Sequence, residues 1–287
     1  MKNVSETYGA ARLGKRLLAA RVVNDGTRLK VTSLLTSGDN LSSETIENGR
    51  LFFNVDERLA IVKKISVMQS SFIEAVRVAQ FEISQTLLEP VESFYFDNIP
   101  LDNRNGHKRF LTIAYHRPVV DKMIIAFEKQ LRKPSGFKLD AVAMTQGYLS
   151  FCRVEAGDLQ VLANVEPDLI TFSFLYRKKL EAVSRMEIEI DDAIGIEQAK
   201  NLAADFKMTI SFKIAELFTE GITVPLSRVL LCGSLARNKI IQAAIAEQFS
   251  IDITLPQFHE GYFDPPEDTL DKYQPEQFII PLGLAVE

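Results

Sequence analysis

Residues 228–256, RVLLCGSLARNKIIQAAIAEQFSIDITLP, constrain the fold more than any other stretch, because they read as strand, glycine turn, helix and second strand. The apolar run from Arg228 to Cys232 ends at Gly233-Ser234, where the missing Cβ lets the chain reverse closely against its surroundings. Ile240, Ile241, Ala244, Ile245 and Phe249 then recur at helical spacing, and residues 251–255 alternate as a strand. A buried strand beside a packed helix follows, which places the chain in the α/β class.

The turn Gly233-Ser234-Leu235-Ala236 resembles the Gly-Gly-x-Ala turn on the adenosine side of the actin, heat-shock chaperone and sugar-kinase superfamily. That resemblance marks Gly233, Ser234 and Ala236 as candidate cofactor-binding residues, with serine in place of the second glycine. Glycine turns also join strand to helix in most α/β proteins that bind nothing there. The rest of the chain must decide between the two.

With 287 residues the chain has ample length for one large or two modest domains. A hydrophobic fraction of 46% against 25% charged residues describes a soluble globular protein. A net charge of −5 and a pI near 5.5 provide no basic footprint for nucleic acid. Cys152 and Cys232 stand far apart in the chain in apolar surroundings, which reads as two inert buried thiols in a reducing, cytoplasmic compartment. No apolar run is long enough to cross a bilayer, and the start MKNVSETYG has neither signal-peptide nor anchor character, so membrane association is expected only through a partner.

Along the chain, Asn24-Asp25-Gly26 between two apolar runs is a hairpin signal. Residues 55–64 read as a short helix and 64–68 as a strand. Residues 72–88 read as a helix whose wet side carries Glu74, Arg77, Gln80 and Glu82, with Pro90 as its stop. Two strands, 94–99 and 110–115, precede a helix whose Val120, Ile124, Phe127 and Leu131 share one face. Residues 137–143 read as strand and 144–152 as helix. A three-stranded meander over 159–190 and a long helix over 196–218 lead into the opening α/β unit.

In the middle of the chain Phe81, Glu82 and Ile83, then Val91, Glu92 and residues 94–97, resemble the amphipathic segment of the type IV pilus assembly protein PilM family. The strand FLTIAY, the helix VVDKMIIAFEKQL and the stretch FKLDAVAM follow in that family's order, with Asp140 at the position of its strand aspartate. The terminal FIIPLGLAV is similar to the family's end. The resemblance implies a two-domain actin-like (ribonuclease H-like) ATPase fold: residues 1–155 as the first domain, with an insert over about 68–136 like that of the cell-division homologue FtsA, and 156–287 as the second. The C-terminal segment is a candidate for packing back on the first domain. In the insert, helices over about 71–88 and 118–132 are expected on one side of a small sheet. By the same resemblance the protein is a cytoplasmic scaffold that holds the N-terminal cytoplasmic tail of a PilN-like inner-membrane protein between the first subdomain and the insert. Self-association is left open.

The departures from that family are as informative. Its first phosphate loop superposes on residues 9–13, where Ala11 replaces the metal-positioning carboxylate and Leu18 the lysine. Its second superposes on Asn164, Val165, Glu166 and Pro167, which keep neither aspartate nor glycine, and Glu166 adds negative charge where phosphate would sit. No cofactor, no metal and no catalytic residue is therefore expected, and the implied state is a pseudo-ATPase. An active ATPase binding ATP and magnesium, and the cytoplasmic component of a type II secretion system of the GspL kind, are the alternatives. GAARLGKR at residues 9–16 approaches a phosphate-loop motif but ends in arginine and follows no apolar strand. Glu187, Glu189, Asp191 and Asp192 form the densest acidic cluster, read as a solvated edge. His107, His116 and His259 lack a nucleophile turn. Phe258, Tyr262, Phe263 and Tyr273 lie in a loop that either meets a partner or packs on its own domain.

Overall fold

The computed structural model describes residues 5–37, 41, 46, 49–68, 71–101, 103–104, 106–155, 159–190, 194–264 and 273–286. The first half runs β1 (Ser5–Leu13), β2 (Arg16–Asn24), β3 (Leu29–Thr36) and β4 (Arg50–Val55), then β5 (Ala60–Met68), α1 (Phe72–Ser84), β6 (Phe94–Pro100), β7 (His107–His116), α2 (Arg117–Gln130), β8 (Gly136–Leu139) and α3 (Asp140–Phe151). The second runs β9 (Leu159–Val165), β10 (Leu169–Tyr176), β11 (Lys179–Glu187), α4 (Ile196–Thr219), β12 (Leu226–Cys232), α5 (Lys239–Gln248) and β13 (Asp252–Thr254), and ends in a short helix, α6 (Ile279–Leu284).

Two five-stranded sheets have the same plan, β3-β2-β1-β4-β8 and β11-β10-β9-β12-β13. In each an antiparallel meander adds two parallel strands. The chain is thus built twice on one scheme. The β2–β3 turn forms where Asn24-Asp25-Gly26 predicts it: Asp25 Oδ1 accepts from Thr27 N at 2.8 Å and Arg28 N at 3.1 Å, and Gly26 adopts φ +78°. A second, tighter hairpin at Gly14-Lys15 pairs Leu13 with Arg16. The first strand begins at Ser5, earlier than its polar composition suggests, because Thr7, Tyr8 and Ala10 are buried against β2 and β4.

The layer between the two large sheets is the main core. It holds Leu18, Ala20, Tyr148, Phe151, Leu162, Leu230 and all of α6 apart from its glycine and proline. Helix α6 sits on α3, β1, β2 and β4 at backbone distance: a Cβ on Gly283 would lie 1.7 Å from Ala143 O, and one on Gly147 2.1 Å from Ile279 O. Only glycine permits that approach. Cys152 and Cys232 are unbridged and buried in this same layer, where burial pushes both thiols well above their ordinary range. Phe258, Tyr262, Phe263 and Tyr273 also pack onto it, which settles their role as domain packing. The far side of the second sheet is covered by α4 and α5, with Phe206, Ile210, Ile241 and Ile245 inward, while Ile240 turns out to solvent.

The inserted unit is a three-stranded sheet ordered β5-β7-β6. Three local expectations are corrected here. Residues 55–64 are not a helix; a single 3-10 turn at Glu57–Leu59 leads into β5, whose nine residues pair with β7 from Ala60 to Met68. Residues 140–143 are not strand but the first turn of α3, β8 stopping at Leu139. Helices α1 and α2 are not on one side of the small sheet: Ala75, Ala79 and Ile83 of α1 pack on Phe110 and Ala114, whereas Val120 and Phe127 of α2 share a core with Leu111, Ile113 and Tyr115. Side chains alternate along β7, so the two sets lie on opposite faces. A strand apolar on both faces needs a cover on each. Helix α2 therefore lies between the insert and the first large sheet, against Phe53 and Val55.

Candidate functional site

Three turns converge where the two large sheets meet: the β1–β2 hairpin, the β9–β10 hairpin and the turn after β12. Register places them together, since β12 pairs with β9 up to Cys232 opposite Asn164. Gly233 then comes against Val165, with φ +89° and a hypothetical Cβ 2.6 Å from Val165 O, so both conformation and space demand glycine. Ser234 donates from its N to Glu166 Oε1 at 3.1 Å and from its Oγ to Glu166 Oε2 at 2.6 Å. Arg16 Nη2 reaches the same Oε2 at 2.8 Å and its Nη1 donates to Gln277 Oε1 at 2.7 Å. The Glu166 residue is 3% exposed. Ala236, the third candidate, is fully buried in the second-half core.

A second group of polar side chains lies on the adjacent wall. Asn54 accepts from Arg12 N at 2.8 Å and donates to Arg12 O at 3.2 Å and to Asp140 Oδ1 at 2.8 Å. Glu57 accepts from Ala141 N at 2.6 Å and from Thr171 Oγ1 at 2.9 Å, tying α3 and the second half together. Burial pushes the Glu57 carboxyl up to about 7. Burial, and next the charge of Glu57, push Asp140 well above the ordinary carboxylate range. Burial and mutual repulsion both favour the protonated form of this pair. On the rim Arg58 bridges Asp56 at 2.5 Å and Asp168 at 3.0 Å. What remains open among these groups is a cavity of about 10 Å³, at most the size of one water.

Several sequence expectations are relocated by this geometry. Ala11, Leu13 and Leu18, superposed on the first phosphate loop, pack in the core between the sheets, Leu13 also lining the small cavity; Arg12, Gly14 and Arg16 reach the convergence point as well. Gly14-Lys15 of the phosphate-loop look-alike is the two-residue hairpin turn itself, Gly14 at φ +59°. Glu166 turns inward as the central acceptor. Asn54 and Glu57 were missed, although a lone asparagine in an apolar strand, with Asp56 and Glu57 after it, was the available signal. Glu187 and Glu189 are exposed, and Asp191 and Asp192 fall outside the described residues. His116 Nε2 lies 3.0 Å from Glu89, and His259 stacks edge-on against Tyr262. The Arg16–Glu166 and Arg58–Asp168 ion pairs and the hydrogen bond from Thr171 to Glu57 join the two halves here.

The larger open space is on the insert. A groove of about 430 Å³ lies between the ends of β5 and β7, the loop after α1 and the first turn of α2. Its floor is Ile61, Phe94 and Ala114, its lip the fully exposed Leu88, and Arg58, Glu89 and His116 stand at its ends. Further along its sheet the insert is pinned to the second half: Arg109 and Arg104 meet the buried Glu181 at 3.3 Å each, and Lys64 reaches Glu220 at 2.6 Å.

No protein-family model and no curated protein matches the chain at the sequence level. Solved structures do match. The chain is similar to that of the PilM-PilN type IV pilus biogenesis complex, at 12% identity, a TM-score of 0.67 and coverage of 99% of this chain and 98% of that one. It is similar as well to a Bacteroides thetaiotaomicron protein with actin-like ATPase fold and unknown function, at 10% identity, a TM-score of 0.52 and coverage of 99% and 96%. A weaker match, with a TM-score of 0.46 at 10% identity over 79% and 82%, is the cytoplasmic domain of EpsL, an inner membrane component of the type II secretion system of Vibrio cholerae. The fold is the actin-like ATPase fold, as the duplicated sheets imply.

Proposed function

We propose that the protein is a scaffold, not an ATPase, of a type IV pilus or related secretion platform, and that it holds the short cytoplasmic tail of an inner-membrane partner. One observation carries the reading: at the meeting point of the two hairpins and the glycine turn, the chain's own Glu166 already takes the hydrogen bonds of Ser234 and Arg16, and the cavity on its other side, between Gly14, Asp140 and Asp168, is only about 10 Å³. An incoming triphosphate would have to displace a buried, triply bonded anion and meet its charge. The capacity to bind lies instead on the insert, whose groove has an apolar floor and opens beside the first half. That the structure similar over nearly the whole chain is a PilM–PilN complex supports a PilN-like partner. No helix among the described residues is long and apolar enough to cross a membrane, which fits attachment through that partner in the cytoplasm.

Two titrations test the reading. A small one-helix membrane protein is expected to be encoded beside this chain, and its cytoplasmic tail to bind with micromolar-scale affinity. Leu88→Asp, at a fully exposed position, is expected to weaken it about tenfold without altering the melting temperature. Millimolar Mg-ATP is expected to leave the melting temperature unchanged. No heat at saturating tail would remove the scaffold assignment, and a shift of several degrees with Mg-ATP would return the protein to the ATPases.

A further inference from the structure

We infer that the insert has a second docking site, the free edge of β5, which takes an uncharged extended segment of a partner protein as an added strand. The sheet order β5-β7-β6 leaves β5 at an edge, and among the described residues no strand pairs with its outer side. A groove of about 590 Å³ runs along it, with residues 63–68 on one wall and Glu74, Val78 and Glu82 of α1 on the other. Successive residues of a strand point to opposite faces, so a groove on a face would touch every second residue. This one touches every residue in turn. It therefore lies against the strand's edge, where unpaired N–H and C=O groups are offered. The α1 residues are spaced four apart and form a straight second wall. Strand addition beside a helix is an established way of binding a peptide through its backbone.

The charges choose the occupant. Lys63 and Lys64 balance Glu74 and Glu82; Lys64 is already held by Glu220 at 2.6 Å, and Glu74 closes the capping box of α1 with Ser71. A charged strand gains nothing there. Val78 and Met68, 41% and 74% exposed, offer apolar lips to uncharged side chains. A second copy of this chain does not fit, because its own β5 enters with α1 alongside and the far wall leaves room for a bare strand. This slot is separate from the tail groove, which lies at the other end of β5 beyond the last turn of α1.

The test uses the full chain and random peptides about as long as β5, displayed on phage, with Val78→Arg as counter-selection; position 78 is exposed, so the variant keeps its fold. Enriched peptides are expected to be uncharged with alternating aliphatic residues, and to bind Val78→Arg about tenfold more weakly. Methylating alternate backbone amides of the best peptide is expected to abolish binding in one register and spare it in the other, a pattern that side-chain docking does not produce. Leu88→Asp is expected to leave this binding intact, which separates it from the tail groove. Absence of enrichment, equal loss in both methylated registers, or a dimer that Val78→Arg dissociates would each overturn the inference.

Discussion

Arg16 and Glu166 join the equivalent hairpins of the two halves: Nη2 of the arginine donates to Oε2 of the glutamate at 2.8 Å, with the arginine side chain 35% and the glutamate 4% exposed. Arg16 opens β2 beside the first hairpin turn, and Glu166 opens the corresponding turn after β9. Arg58 and Asp168 repeat the connection at 3.0 Å on the rim. The halves of this molecule are thus tied by their own side chains at the place where ligand-binding proteins of two-lobed design place a ligand.

The first prediction concerns that tie. Glu166→Ala leaves the Ser234 amide and hydroxyl and one arginine N–H without their shared acceptor, which is expected to cost about 2 kcal/mol of unfolding free energy. In a double-mutant cycle with Arg16→Ala, read by denaturant unfolding, the coupling is expected to be about 1 kcal/mol or more. Coupling indistinguishable from zero would show that the two residues are neighbours and not a clamp.

Glu57 supplies a second, through pH. Its carboxyl stays protonated in the folded protein up to about 7, whereas in the unfolded chain it ionises around its ordinary 4.5. Its contribution to stability is complete below 4.5, declines across the interval and is gone once the pH passes about 7. Glu57→Gln keeps the shape and an acceptor for Ala141 N. The difference in stability between wild type and Glu57→Gln is therefore expected to move against the wild type from pH 5 to pH 8, and the variant to be the more stable at pH 8. Melting curves in paired buffers measure this directly. A pH-independent difference would mean that Glu57 is ionised in its buried site.

Much of this architecture is legible in the sequence where local signals agree. The unit around Gly233 reads correctly because apolar runs, glycine and helical spacing all point the same way, and the Asn24-Asp25-Gly26 hairpin because its turn chemistry is local. Residues 55–64 mislead: Glu57, Arg58 and Leu59 favour a helix, yet nine pairs to a distant β7 outweigh a propensity worth tenths of a kcal/mol per residue. The two-sided β7 was readable from the run at 110–115, apolar on both alternations apart from Thr112, which calls for a helix on each face. The centre of the candidate site was half visible. Resemblance pointed to Glu166 and Asp140, but only as departures or matches, since bonds from Arg16 to Glu166 and from Glu57 to Thr171 cross 150 and 114 residues and leave no local pattern.

The last prediction rests on the tightest of the described glycine positions. Gly283 of α6 lies so near α3 that a Cβ there would be 1.7 Å from Ala143 O, 2.6 Å from Ala143 C and 2.7 Å from Gly147 N. These are main-chain atoms of a buried helix, with no flexible side chain to move aside. Gly283→Ala must therefore lift α6 off α3, and α6 carries Ile279, Ile280, Leu282 and Leu284, all fully buried between the sheets. The expected loss is about 3 kcal/mol or more, at the upper end of what one added methyl produces in a core. Gly261→Ala, with nothing within 4 Å of the new Cβ, is expected to change stability by less than about 0.5 kcal/mol. Denaturant midpoints of the two variants compare a methyl with and without room. Since Arg16 also bonds Gln277 in the turn leading into α6, Gly283→Ala is expected to weaken the Arg16–Glu166 coupling as well, whereas Gly261→Ala leaves it unchanged. If both glycines tolerate alanine equally, the C-terminal helix is not seated where its backbone contacts place it.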